Sequence, residues 1–244
     1  MRKGVVVIVA AVIFAVSFIL VANILSNAAI SIKNKGYVKV KGFAKQEIKS
    51  DLAIFEVTIL EENPDLKLCH KNLSGNKKTV SDYIDKFLSK PKGDIVKFSP
   101  ININEKYKIN ERGYDTDEFV EFQLNQSVSV ESKDVEKIQK ISQEISELID
   151  DGVKMSISYP GYYYTKLDDL KIEMIGLATA NAKERAQIIA KKGKFKLGPV
   201  ASVRVGVFQI TPANSTSVDD YGINDTSSID KEIKSVVEIE YFVK

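Results

Sequence analysis

The one cysteine and the one histidine of this chain stand side by side, Cys69 and His70, and a thiol beside an imidazole is the raw material of a nucleophile and its base. Consecutive helix residues diverge by about 100°, so the two do not face each other. Cys69 falls on the apolar face of a helical pattern and is expected in the core, with His70 at the surface. A lone cysteine forms no internal disulfide and matches no paired metal-ligand spacing. Two runs, Ser74-Gly75-Asn76-Lys77 and Ser228-Ile229-Asp230-Lys231, fit Ser-x-x-Lys, a serine-hydrolase pattern whose companion motifs are missing here. The acidic group Asp219, Asp220, Asn224, Asp225 and Asp230 could offer oxygens to calcium, but its spacing is not that of the regular calcium loop and a solvated acidic loop is the expectation. There is no glycine-rich phosphate cradle and no zinc-spaced Cys or His set. The expectation is therefore no catalytic residue, no cofactor and no metal. The strongest local feature is Tyr162-Tyr163-Tyr164: three aromatics on a strand place at least one on each face, and exposed tyrosines suit interfaces, so these three are the candidate interaction residues, with core filling plus a sheet edge as the equal alternative.

Nucleic acid is excluded as a partner by charge. Setting Arg2 and Lys3 aside removes the whole formal charge of +2 and leaves a neutral body, without the basic field that phosphate binding needs. The run Lys191, Lys192, Lys194 and Lys196 lies where a helix should end and suits its C-terminus. Asn72, Asn214 and Asn224 open glycosylation-type triplets, which matter only in a host that glycosylates.

The elements that would position these residues begin with an oily leader. From Val5 to Ala22 the only polar residue is Ser17, and as a helix this stretch would be about 27 Å long, close to a bilayer core of about 30 Å. A buried globular helix would show one polar face, and this one is apolar all round. The expected element is a transmembrane anchor within residues 1–30, with a cleaved signal as the alternative because Ser26-Asn27-Ala28 resembles a processing site. Arg2 and Lys3 should keep the N-terminus in the cytoplasm and place the body outside, an assignment that Lys33 and Lys35 weaken.

Beyond the leader, alternation predicts strands over Tyr37–Phe43 and Leu52–Leu60, expected to pair with each other. Asn63-Pro64-Asp65 reads as a helix start with Asn63 as the cap, and Cys69, Leu73, Val80, Tyr83 or Ile84, and Phe87 mark one face of that helix, stopped by Lys90-Pro91-Lys92-Gly93. Strands follow over Ile95–Ile109 and Phe119–Val130, with Gly113 in the loop between them. Val135, Ile138, Ile141, Ile145 and Leu148 form a second helical face. Val153–Thr165 is a strand candidate broken at Pro160-Gly161. Leu170, Met174, Leu177, Ala178, Ala182, Ala186, Ile189 and Ala190 form a third face, ending at Gly193. Strands over Val200–Ile210 and Ile233–Val243 flank the loop Thr211–Ser228. With no Gly- or Pro-rich linker, one α+β domain over residues 36–244 is predicted.

The pieces resemble the SIMPL-domain family of extracytoplasmic bacterial proteins, which includes a periplasmic oxidative stress defence protein and a periplasmic immunogenic protein. The likeness lies in Val40-Lys41-Gly42-Phe43-Ala44, in Ser50-Asp51-Leu52-Ala53, in Ala178, Ala182, Lys183, Ala186, Ala190, Gly193, Leu197 and Gly198, and in the closing Ile229–Tyr241. Ala44 stands where that family has a second glycine, Ser50 where it has proline, and Lys231-Glu232 where Pro-Gly is common. The resemblance implies a single α+β domain, a mixed and largely antiparallel sheet packed by about three helices, behind a signal or anchor. It implies oligomers in some relatives and no agreed catalytic residues. The expected function is a membrane-tethered, non-enzymatic envelope protein that forms homo-oligomers, with an envelope or oxidative stress role. The alternative is an extracytoplasmic module that binds a small molecule, glycan or partner protein through the 211–228 loop and the tyrosines.

Overall fold

The computed structural model describes residues 13–26, 36–88 and 94–244. Helical residues 13–26 form α1. Then follow β1 (Tyr37–Lys49), β2 (Leu52–Asn63), α2 (Leu66–Phe87), β3 (Ile95–Phe98), β4 (Asn102–Ile109), β5 (Asp115–Ser132) and α3 (Val135–Glu144), which runs into a 3-10 turn over Ile145–Ile149. The chain continues through β6 (Met155–Ile157), β7 (Gly161–Tyr163), α4 (Leu167–Gly193), β8 (Leu197–Val205), β9 (Gln209–Pro212), β10 (Ile223–Asn224) and β11 (Asp230–Val243). The α+β class is as expected. The strands form two sheets, however, where one was predicted, and the chain divides into two compact units whose boundaries fall inside β1, α4 and β11.

One unit comprises the described residues of Met1–Ala44 with Glu173–Gly206 and Ser235–Lys244. Its strands are ordered β1-β11-β8, and α4 packs on one face through a row of small residues four apart, Ala178, Ala182, Ala186 and Ala190, all buried. Side chains four apart share one helix face, and alanine lets that face come close. Opposite them sits Gly42, where a Cβ would lie 2.5 Å from the Ala182 amide nitrogen. The same helix covers the free edge of β1: the Phe43 N–H donates to Asn181 Oδ1 at 3.1 Å, and Arg185 donates to the Lys41 carbonyl at 3.0 Å. Leu177 and Ile189, expected on the helix's buried face, are instead 48% and 43% exposed, because the buried row is a strict four-residue repeat that neither joins.

The other unit comprises Lys45–Ile172 and Val207–Lys234. Its main sheet is antiparallel, ordered β3-β5-β2-β6, with β4 also on β5 and β7 also on β2. Ala53, Phe55, Val57 and Ile59 alternate inward from β2 and meet Leu124, Val128 and Val130 of β5. Against them lie Cys69, Leu73, Val80 and Ile84 of α2 and Val135, Ile138 and Ile141 of α3. Burial of this apolar cluster stabilises the unit by about 25 cal/mol per Å² of apolar surface.

The predicted pairing of β1 with β2 does not occur. The two residues between them, Ser50 and Asp51, lack the glycine or asparagine that a tight hairpin needs. Their backbone N–H groups donate instead to Ile229 and Tyr163 carbonyls, both at 2.9 Å, and the Asp51 carboxylate accepts from the Thr165 N–H at 2.7 Å and its hydroxyl at 2.8 Å. The chain therefore runs on, pairing β1 with β11 and β2 with β5. At the next junction Asp65, not Asn63, caps α2, accepting from Lys67 and Leu68 amides, while Asn63 Oδ1 binds the Asp65 N–H. The predicted strand over 153–165 is split at Pro160, which has no N–H to give the ladder, and both halves lie on β2.

Of the predicted membrane span, residues 5–12 lie outside those described, as do Asn27 and Ala28 of the suggested processing site and the stop signal at 90–93. Among the described residues no helix is long and apolar enough to cross a membrane. Residues 13–26 alone would span about 21 Å.

Glu62, at the end of β2, ties three neighbours together: Lys106 on β4, Gln123 on β5 at 2.9 Å and Lys154 at 3.5 Å. The hydrogen bonds from Lys106 and Gln123 hold its carboxyl at about 2, against an ordinary 4.5. A depressed carboxylate stabilises the fold above its unfolded pKa, and that contribution is lost as pH falls from about 4.5 through about 2. Because Lys106 is half-exposed, the effect is screened to about 1–2 kcal/mol. Glu62→Gln should therefore be less stable at neutral pH yet lose less on acidification. Urea unfolding at pH 7 and pH 3 checks this, and equal acid losses in both proteins would refute it.

Candidate functional site

Each chemically suggestive residue has a definite place. Cys69 is fully buried, its thiol pushed up by burial, with Sγ 3.8 Å from the Phe122 carbonyl, while His70 is exposed. Ser74 donates back to the His70 carbonyl at 2.9 Å, one helical turn away, and the Lys77 ammonium sits over the Phe98 ring at 4.2 Å. Ser74 and Lys77 therefore have separate partners.

The second Ser-x-x-Lys run is different, because its two ends meet on one carboxylate. Ser228 and Ser227 hydroxyls both bond Asp225, the latter at 2.7 Å, and Lys231 Nζ reaches Asp225 Oδ2 at 3.2 Å as well as the Asp225 carbonyl. Lys231 is only 2% exposed. Burial pushes its amine down and the Asp225 carboxylate pushes it back up, with burial the larger. For Asp225, burial alone would raise the carboxyl, but the Ser228 and Ser227 hydrogen bonds and the Lys231 charge overcome it and hold the group well below the usual range. In a Ser–Lys hydrolase the amine takes the hydroxyl proton; here hydroxyl and amine both serve as donors to Asp225.

Glu232, the next residue, is also 2% exposed and lies between Lys45 at 2.5 Å and Lys234 at 3.1 Å. Burying two adjacent charges is costly unless each is paired, and both are. Sequence reading missed this pair of buried ions. The signal was present: an alternating apolar strand that opens on Lys231-Glu232 places one of them inward. Asp219 is spent on its own loop, accepting from the Tyr221 N–H at 2.8 Å. Among the described residues no group of three or more acidic, Cys or His side chains could hold a metal.

The tyrosine run straddles its strand as expected, but Tyr162 points inward and is 6% exposed within the core, while Tyr163 is exposed. The fully exposed aromatics are Tyr159 and Tyr221, which sequence reading did not single out. Tyr162 is the common wall of three hollows. A cavity of about 500 Å³ lies between α3 and the β6–β7 link. A pocket of about 60 Å³ reaches Asp225 and Lys231, and an open cleft of about 560 Å³ runs past Lys49, Glu136 and Asp230. The Tyr162 phenol is pushed up by burial alone, and it has no hydrogen-bond partner among the described residues.

The model of the SIMPL family, described as a protein of unknown function (DUF541), matches residues 38–241. The chain belongs to that family. No curated protein sequence matches it. Among solved structures it is similar to a putative aminohydrolase from methicillin-resistant Staphylococcus aureus, at 11% identity and a TM-score of 0.30, over 51% of this chain and 33% of that one. The chain thus spans about a third of that structure's length, and a likeness so slight carries no argument.

Proposed function

We propose that this SIMPL protein is a non-catalytic, membrane-tethered extracytoplasmic component that self-associates by pairing β8 with β8 of a second copy. The observation that carries the reading is the state of that strand. Val200, Val203 and Val205 lie opposite Tyr241, Ile239 and Val237 of β11 and so share the inward face with them. The β11 residues are buried, yet the three valines are 49%, 56% and 44% exposed, beyond the reach of α4. The outer edge of β8 receives no hydrogen bond from the described residues, in contrast to the covered edge of β1. Arg204 is the one charged side chain on the strand. Exposed, apolar, almost uncharged edges pair with further strands, and an antiparallel pairing of a strand with its own copy closes as a two-fold dimer.

The tether is supported by the apolar run from Val5 and by α1, whose described residues are apolar except for Ser17, Asn23 and Ser26 and are exposed throughout. Such a helix is at home in lipid. An envelope or stress-defence role is part of the same reading.

Light scattering of the full-length chain in detergent at micromolar concentration should show a dimer or larger, and Val203→Lys should reduce it to monomer without lowering the melting temperature. A wild-type monomer, or a Val203→Lys oligomer, overturns the pairing. The capture of a ligand is a second reading, carried by the cavity at Tyr162.

A further inference from the structure

We propose that the cavity beside Tyr162 is a binding site for a neutral saccharide. It deepens the capture reading and is independent of the pairing through β8. One wall is α3, which presents Gln139 and Gln143 four residues apart, hence on one face, with Ser142 between them. The other wall is the link carrying Ser158, Tyr159 and Pro160, and Tyr162 and Ser227 complete the lining.

Charge is the first argument. In a chain of which 28% of residues are charged, no Asp, Glu, Lys, Arg or His lines this cavity. A phosphate, a carboxylate or an ammonium ligand would find no counter-ion here, and desolvating it would go uncompensated. A volume of about 500 Å³ is that of a small-molecule site.

Hydrogen-bonding capacity is the second. The Ser142, Ser158 and Ser227 hydroxyl protons are already donated, to the Gln139 carbonyl at 2.8 Å, the Glu56 carbonyl at 2.6 Å and Asp225 at 2.7 Å, which leaves these oxygens as acceptors. The Gln139 and Gln143 amides have no protein partner among the described residues. Nor does the Tyr162 hydroxyl, on a side chain more than nine-tenths buried and bordering the cavity. The Tyr162 phenol thus opens onto the cavity free to donate to, or accept from, a ligand hydroxyl. Sugar hydroxyls both donate and accept, which suits this mixed set of donors and acceptors.

The third argument is Tyr159, whose side chain is 99% exposed at the rim and has no ring contact. An aromatic face there can lie against the C–H face of a sugar ring. A neutral peptide could not bind here by strand addition to β6, which is only Met155–Ile157.

The test titrates the full-length chain, in a sugar-free detergent, with tetramers of glucose and of N-acetylglucosamine, with tetragalacturonate and with tetra-alanine, followed by calorimetry. Saturable binding of a neutral tetramer is expected, with none of the charged one, and Tyr159→Ala or Tyr162→Phe should weaken it about tenfold. Retention on insoluble chitin or cellulose without binding of the soluble tetramers would support the site with a polymer as the source, provided Tyr159→Ala abolishes retention. The melting temperature of Tyr159→Ala should not change, which separates lost binding from lost folding. The proposal is overturned by equal binding of tetragalacturonate, by capture of tetra-alanine alone, by binding that neither variant weakens, or by no neutral saccharide binding in any form.

Discussion

Replacing Gly42 by alanine is expected to destabilise the α4-containing unit by about 3 kcal/mol, for a single methyl group. A Cβ at this position would overlap the Ala178 carbonyl oxygen and lie 2.5 Å from the Ala182 nitrogen and 2.7 Å from its Cβ. Two of these three atoms are helix backbone, so no rotamer change relieves the clash. Either α4 lifts from the sheet or β1 bends, and lifting exposes the buried row at Met174, Ala178, Ala182 and Ala186. Because the first obstruction is a carbonyl oxygen, Ala182→Gly should not rescue Gly42→Ala. Gly75 is the matched control: it lies exposed within α2 with nothing within 4 Å of its would-be Cβ, so Gly75→Ala should stabilise by up to about 1 kcal/mol. Urea unfolding of the three variants decides the matter, and a Gly42→Ala protein as stable as wild type would show that the helix does not sit where it is placed here.

Asp225→Ala should cost about 3–5 kcal/mol, because it leaves the Lys231 ammonium buried without its carboxylate. The loss comes chiefly from the stranded charge, so Asp225→Ala/Lys231→Met should recover most of it, methionine filling the lysine's volume without an ion. The pH dependence distinguishes this from simple cavity formation. Burial lowers the Lys231 pKa below 10.5, and without Asp225 the opposing contribution is gone. As pH rises towards 10.5 the folded state sheds this proton while the unfolded chain still holds it, so stability of Asp225→Ala should climb relative to wild type. A flat difference between pH 7 and pH 10, or a double variant no better than the single one, would argue against a stranded ion.

Both predictions rest on places where the family pattern and this chain part company or coincide in an informative way. Gly42 faces the alanine row, which leaves no room for a Cβ there. The Ser50 N–H and hydroxyl donate to the Ile229 and Ser228 carbonyls, neither of which a proline could do. Lys231 and Glu232 replace a common Pro-Gly pair, and both are buried ions with dedicated partners. These substitutions bring new polar contacts to the start of the closing strand.

Much of the architecture was legible along the chain because its causes are local. Alternation marked β2 and β11, four-residue repeats marked α2, α3 and α4, and Gly113, at a φ of +81°, marked a turn that favours glycine. The core placement of Cys69 and the split at Pro160 follow from the same short-range rules. Periodicity also named the inward residues of α4, yet it added Leu177 and Ile189, since a sequence pattern does not say how wide the facing surface is.

What lies far apart in the chain was decided only on folding. Nothing in Tyr37–Lys49 specifies that β11, rather than β2, will be its partner, because backbone hydrogen bonds are the same for any strand and the choice depends on which faces must be buried together. Burial of Tyr162 and Lys231, the meeting of Ser227, Ser228 and Lys231 on Asp225, and an uncharged cavity between α3 and the β6–β7 link are consequences of that choice. The amino-acid order determined the elements, their faces and the family; tertiary packing decided the partners and the site, because propensity acts over a few residues and burial acts over the whole chain.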